Sequence, residues 1–420
     1  MRRVLVGVAL VALGLGACSV DPSSGSTGDA AAGPDAAPAA DGAAPDDGGE
    51  LRGVWITRFA YADQPGLEAI IDRAADAHFN AVFVQIRGNG DAYYRSSHEP
   101  WAARLGGVLG RDPGWDPLQV AIDRAHARGL ELHAYFNVFS AWPAGDPLPV
   151  AEGDVQHPLH DHPDWLAVDS SGTSHDSEYL WFSPGNPAVR AHIVATAREL
   201  LERYDVDGLH LDRIRTPGPD YSHDAVTEAR FAAARDVDPS LTWADFMRAQ
   251  VDATVAELDA TIAEVRPHVR LSASVWGIYQ PLPGCATSWG YGQYYQDSLG
   301  WLQRGTIDAI VPMMYWAIAP GACTDWAALL DGFLADRGDR HVWAGMHALD
   351  VVDGGGRGWD FAQVAARVAR AREVGAQGVV VFASTYLDAD VGRWAAFPGT
   401  ADAPGPFATP AQPGAMPWKP

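Results

Sequence analysis

The chain has 420 residues, 53 of them acidic and 30 basic, for a formal net charge of −23 at pH 7. That balance excludes a protein that grips nucleic acid, which needs a basic stripe to displace counterions. Between its two terminal tracts lie roughly 350 residues, large for one simple core but normal for a barrel with long loops.

Arg2 and Arg3 open the chain, and an apolar run from Val4 to Leu15 follows. That run is too short to span a bilayer, so residues 1–18 read as a secretory signal. The closing Leu15-Gly16-Ala17-Cys18 resembles the bacterial lipobox. The expectation is that Cys18 is lipidated, and Ser19 resembles the signal for outer-membrane sorting. The expected location is the cell envelope, with the membrane engaged through that anchor only. Residues 19–50 are rich in Pro, Ala, Gly and Asp, without an aromatic side chain. Such a stretch buries too little to offset its ordering entropy and reads as an acidic tether. At the other end, residues 398–420 form a Pro-rich, irregular tail.

Residues 51–397 alternate between strand-like and helix-like segments. The strands are expected at Arg52–Thr57, Ala81–Arg87, Glu131–Asn137, Asp207–Asp212, Arg270–Trp276, Asp308–Tyr315, His341–His347 and Gly378–Ser384. Apolar spacing of three and four predicts helices over Leu67–Ala77, Leu118–Arg128, Val189–Tyr204, Phe246–Val265 and Phe361–Val374. Asn186-Pro187 is a helix start, and Gly129 and Gly375 are helix stops. Eight strands alternating with helices predict an α/β fold, a closed parallel (β/α)8 TIM barrel. An open doubly wound sheet would bring a Gly-rich phosphate loop after its first strand, and Trp55-Ile56-Thr57-Arg58-Phe59 offers none.

Barrel chemistry sits at the C-terminal ends of the strands. Period-two alternation assigns Gln85 and Arg87, then Tyr135 and Asn137, then His210 and Asp212, to the inner face. Trp276, Tyr315 and His347 end later strands. Asp212 is the first candidate for catalysis, with Arg213 and Arg215 beside it. A carboxylate there suits a nucleophile, a base or the stabiliser of an oxocarbenium ion. Glycoside hydrolysis usually needs a second carboxyl group, and Asp91 and Glu99 are the candidates in the loop after the second strand. Asp350, Asp353, Asp388 and Asp390 remain open. Trp101, Trp142, Trp181, Trp276, Trp289 and Trp316 fall near the same face, where indoles suit a glycan chain, about half of them as loop core. Arg87, Arg213 and Arg215 can bind a carboxylate on a sugar or neutralise Asp212. His157, His160 and His162, with Asp161 and Asp164, lack spacing that would converge them on a metal, and neither metal nor cofactor is expected. Cys285 and Cys323 lie in segments of one barrel face and can pair in an oxidising compartment.

Several motifs coincide: Leu51-Arg52-Gly53-Val54-Trp55, Val84-Gln85-Ile86-Arg87 with Gly90-Asp91-Ala92, Glu99-Pro100-Trp101, His162-Pro163-Asp164-Trp165-Leu166 and Pro184-Gly185-Asn186-Pro187. The most specific is Asp207-Gly208-Leu209-His210-Leu211-Asp212-Arg213-Ile214-Arg215. In these the chain resembles the family 10 glycosyl hydrolase-like proteins of bacteria, from Leu51 to about Asp390. The resemblance implies a (β/α)8 barrel and a lipoprotein that cuts glycan strands already stripped of stem peptides. It also implies a role for Asp212. Thr216 and Met313 depart from the pattern. The expected partner is thus a polysaccharide, with another extracellular polysaccharide, or glycan binding without turnover, as the alternatives. Nothing indicates an oligomeric state.

Overall fold

The computed structural model describes residues 49–351 and 356–420, so Cys18, most of the tether and Asp353 lie outside the described residues. Short, largely apolar runs form eight strands: β1 (Leu51–Ile56), β2 (Ala81–Arg87), β3 (Glu131–Asn137), β4 (Gly208–Asp212), β5 (Arg270–Trp276), β6 (Ala309–Met313), β7 (His341–His347) and β8 (Gly378–Phe382). They pair in parallel and in chain order, and β8 closes the barrel against β1 with Leu51 opposite Gly378. The (β/α)8 expectation is met.

Helices connect successive strands: α1 (Gln64–Asp76), α2 (Pro117–Ala127), α3 (Pro187–Arg203), α4 (Ala225–Val237), α5 (Trp243–Val265), α6 (Ser298–Arg304), α7 (Trp326–Ala335) and α8 (Phe361–Glu373). Their ends follow from local chemistry. Asp63, Asp116, Asn186 and Asp360 each accept a backbone N–H of a first turn. Gly129 and Gly375 take the left-handed backbone past α2 and α8, at φ of 71° and 72°. None of the helices among the described residues is long and apolar enough to cross a membrane. Cys285 and Cys323 form a disulfide with a Cα–Cα distance of 5.5 Å. It ties the loop after β5 to the loop after β6.

Alternation turns Val54, Val82, Leu132, Leu209 and Leu271 towards the helices, where they join the main core. The inner face is different, with Trp55, Phe83, Tyr135 and Trp343 packed inside the strands. His210 stands among them, fully buried. Trp55 Nε1–H donates to His210 Nε2 at 3.1 Å, while Ser272 and Ser274 lie 2.8 Å from Nδ1 and Nε2. An indole can only donate, so Nε2 is the acceptor and the imidazole is neutral with its proton on Nδ1. Burial pushes the His210 pKa well down, in the same sense.

The far mouth of the barrel is closed by the C-terminal tail. Met416 packs into the inner core, with Trp418 against it. Trp418 Nε1 donates to Asp308 at 2.6 Å, and Lys419 Nζ lies 2.8 Å from the same carboxylate. Glu50, at the end of the compositional tether, is buried and pairs with Arg52 and Arg372 at 2.7 and 2.8 Å. Removing residues 413–420 leaves the Asp308 carboxylate only the Leu271 N–H, at 2.7 Å, and uncovers the inner core. The melting temperature should fall by about 5 °C or more; a change within about 1 °C would show that the tail carries no stability.

Candidate active site

β4 ends on Asp212, turned into the barrel and almost enclosed. Its neighbour across the sheet is β3, with Asn137 opposite Asp212 and Tyr135 opposite His210. Tyr135 therefore stands one step below the rim, and its hydroxyl donates to Asp212 Oδ2 at 2.6 Å. Burial and the Asp212 charge raise the Tyr135 pKa well above 10, so the phenol keeps its proton. The second oxygen, Oδ1, accepts the backbone N–H of Arg213 at 2.6 Å. Arg213 adopts the left-handed backbone, φ 53°, a strained choice for a side-chain-bearing residue. With a donor on each oxygen, the carboxylate is fixed as an acceptor.

The turn also aims Arg213 outward. Its guanidinium pairs with Glu178 at 2.8 Å and lies over the rings of Tyr179 and Trp181 at 4.7 and 5.6 Å. Burial lowers the Arg213 pKa, but Asp212, Tyr179 and Glu178 outweigh it and leave the group firmly charged. Glu178 adjoins a short antiparallel hairpin, Tyr179–Trp181 paired with Ser140–Pro143. Two residues on, the Arg215 guanidinium sits among Tyr294, Trp181 and Trp276, at 5.0, 5.3 and 5.4 Å.

Across the mouth, Tyr315 stacks on Phe382 with centroids 5.3 Å apart, and His347 lies 4.6 Å from Tyr386. The Leu349 N–H donates to His347 Nδ1 at 2.9 Å, placing the imidazole proton on Nε2. Burial, helped by Arg357 and Arg367, pushes the His347 pKa down to about 3. Asn137 is buried at the rim, and its Oδ1 has no partner among the described residues. The mouth thus brings together Tyr135, Asn137, Asp212, Arg213, Arg215, Trp276, Tyr315 and His347.

Five sequence candidates lie elsewhere. Glu99 is completely enclosed between Arg87, at 2.5 Å, and His192, at 3.0 Å. Burial opposes its ionisation, but the Arg87 charge and the His192 contact hold its pKa far below the carboxylate range. A proton donor needs the reverse, so Glu99 is corrected to a structural anion. Arg87 is correspondingly no substrate ligand, because it is spent on Glu99 and the Asn137 and Val138 carbonyls. A register shift between Gln85 and Arg87 accompanies this turn away from the axis. Gln85 braces the backbone N–H of Arg58 at 3.0 Å. His210 lies below the mouth, in the interior network already described. Asp91 accepts from the Asn89 N–H of its own loop at 2.7 Å.

The later carboxylates are committed too. Asp350 pairs with Arg367, Asp388 with Arg73, and Asp390 caps a short helix at Gly392 N. His157 is buried with both ring nitrogens on backbone groups of Asn89, Ala141 and Leu159. It has no lone pair to offer a metal. Sequence reasoning missed Glu178 and Tyr294. The alternation Glu178-Tyr179-Leu180-Trp181 was a readable strand signal, but its pairing partner is 41 residues earlier, Ser140 opposite Trp181.

The family model described as glycosyl hydrolase-like 10 matches residues 50–329. The glycosyl hydrolase YngK of Bacillus subtilis is 30% identical over 324 residues, covering 72% of this chain and 61% of that protein. The glycosyl hydrolase DigH of Escherichia coli K12 is 28% identical over 307 residues, 65% of this chain and 67% of its own. Among solved structures, the PgaB (BpsB) glycoside hydrolase domain of Bordetella bronchiseptica superposes with a TM-score of 0.59 at 17% identity. That likeness covers 82% of this chain and 97% of the other. The catalytic domain of a Paenibacillus polymyxa beta-amylase gives 0.55 at 13% identity, over 82% and 94%. At such identities the structural likenesses speak for the barrel alone.

Two outcomes follow from these contacts. Glu99→Gln leaves Arg87 buried without its countercharge and should destabilise by about 3–5 kcal/mol in denaturant titrations. Any activity per folded molecule should keep its pH profile; a lost alkaline limb would restore Glu99 as a donor. The second concerns His347, neutral in the fold with a pKa of about 3 against 6.5 unfolded. Below pH 6.5 the unfolded chain gains a proton that the fold refuses, so stability falls as pH drops towards 3. His347→Gln should make that fall shallower between pH 6.5 and 5. An equally steep fall would show that His347 does not drive it.

Proposed function

Because the chain belongs to the glycosyl hydrolase-like 10 family, we propose that it hydrolyses glycosidic bonds in a cell-envelope glycan, with peptide-free peptidoglycan strands as the substrate and Asp212 at the centre of the chemistry. The observation that carries this reading is the Asp212 carboxylate, held by Tyr135 and the Arg213 backbone at 2.6 Å each, at a mouth where Trp276 and Tyr315 are part-exposed. Indole and phenol faces suit the C–H faces of sugar rings, and the fixed anion suits the positive charge that grows at an anomeric carbon as its bond breaks.

Tyr135 is already donating to Asp212, so it steadies that anion rather than protonating a leaving oxygen. With Glu99 enclosed and Asp91 held by its own loop, a lone acceptor carboxylate favours attack by a group of the substrate itself. On an amino-sugar polymer that group is the acetamido carbonyl oxygen. It bonds to the anomeric carbon as the glycosidic bond breaks, and Asp212 counters the charge that spreads onto it. Water protonates the departing oxygen, and a second water opens the ring so formed. At the N-terminal end, the lipobox-like Leu15-Gly16-Ala17-Cys18 supports a lipid anchor on Cys18 and residence at the outer membrane.

The test is release of new reducing ends from purified peptide-free peptidoglycan strands. The parent chain should cleave them, and Asp212→Asn should lose activity by a factor on the order of a thousand with its melting temperature kept. Equal activity in both chains would move the chemistry away from Asp212. Binding without cleavage by the parent would make it a glycan-binding protein.

A further inference from the structure

Arg215 is a buried cation without a matching anion. Its side chain leaves only 8% of the residue exposed, yet no carboxylate among the described residues comes within ion-pair distance of it. Three other enclosed arginines are paired, Arg87 with Glu99, Arg213 with Glu178 and Arg367 with Asp350, while Arg58 after β1 is buried beside Tyr179 and Asp91. The Nε of Arg215 is enclosed and has no acceptor, and Nη1 reaches only the Thr216 carbonyl at 3.4 Å. Leaving a charged donor unmatched in this way is costly, and such groups mark places where a ligand completes the bonding.

The surroundings define the ligand. The rings of Tyr294, Trp181 and Trp276 surround the guanidinium, with centroids 5.0, 5.3 and 5.4 Å from its central carbon. Ring packing of this kind leaves the edge as the place for an acceptor, and a guanidinium edge matches a carboxylate through two parallel N–H bonds. Gln296 fixes the cage, accepting from Trp276 N at 2.7 Å and donating to Ile214 O at 3.1 Å. Burial and the Arg213 charge bring the Arg215 pKa down to about 10, which leaves it charged at neutral pH.

We propose that Arg215 is a specificity residue that binds the carboxylate of an acidic sugar next to the bond cleaved at Asp212. The proposal rests on the glycosidase reading for the word "cleaved", but not for the recognition itself. Two sources offer that carboxylate, a lactyl ether on an amino sugar and a uronic acid.

The experiment separates recognition from turnover by measuring binding to the full chain carrying Asp212→Asn. The ligands are peptide-free peptidoglycan fragments, the same fragments with their carboxylates converted to methyl amides, and oligogalacturonate. The free acid should bind on the order of 30-fold more tightly than its amide. Adding Arg215→Gln should erase that preference, and Arg215→Lys should restore part of it. Tight binding of oligogalacturonate alone would assign the carboxylate to a uronic acid. Equal affinity for acid and amide, a preference surviving Arg215→Gln, or no binding of either acid would overturn the proposal. If the preference holds while the parent chain cleaves nothing, the glycosidase reading fails and the recognition stands. Cleavage of acid and amide strands at equal rates would give the reverse.

Discussion

The hydrogen bond from Tyr135 to Asp212 ties the interior of the barrel to its rim, and the proposed chemistry depends on it. Both side chains face inward because residues two apart share a face of a strand. Tyr135 packs edge-on over His210, with centroids 5.8 Å apart. His210 is in turn held by Trp55, Ser272 and Ser274. Trp55 can only donate, so the protonation of this chain of polar groups has one solution. A buried network satisfied in that way is rigid, and the rigidity passes to the Asp212 carboxylate.

Charge is partitioned around that centre. Arg87 is neutralised by Glu99 and Arg213 by Glu178, each pair fixing a loop to the rim. Asp212 receives hydrogen bonds from a neutral hydroxyl and a backbone amide instead. Its charge is felt by Arg213 and Arg215 without a direct ion pair to either. The disulfide between Cys285 and Cys323 and the Gln296 bridge secure the loops that carry Trp276 and its neighbours. A site built this way needs little rearrangement to bind a chain of sugars.

Much of this was legible in the sequence, because period-two alternation is a geometric rule that side-chain chemistry cannot escape. It placed Asp212, Tyr135 and Asn137 on one face, and β2, β3, β5 and β7 fall on the expected residues. Helix caps were readable for the same local reason at Asn186, Gly129 and Gly375. All but one of the failures are long-range. Arg87 looked like a substrate ligand, but its partner Glu99 comes from the following loop and is invisible to periodicity. The register shift after Gln85 is likewise set by the neighbouring strand. Helix α4 escaped because only Thr227 in it is buried, so it has no apolar stripe to read. Glu178 and Tyr294 reach the mouth through loops whose path depends on the whole barrel.

The most direct measurement is a crystal structure of the chain carrying Asp212→Asn with an oligosaccharide of its glycan bound. The account predicts an anomeric carbon, or the acetamido group attacking it, about 3.5 Å from the side chain at position 212. The sugar rings should lie against Trp276 and Tyr315. A glycan seated on another face of the barrel, with the mouth around Tyr135 untouched, would contradict it.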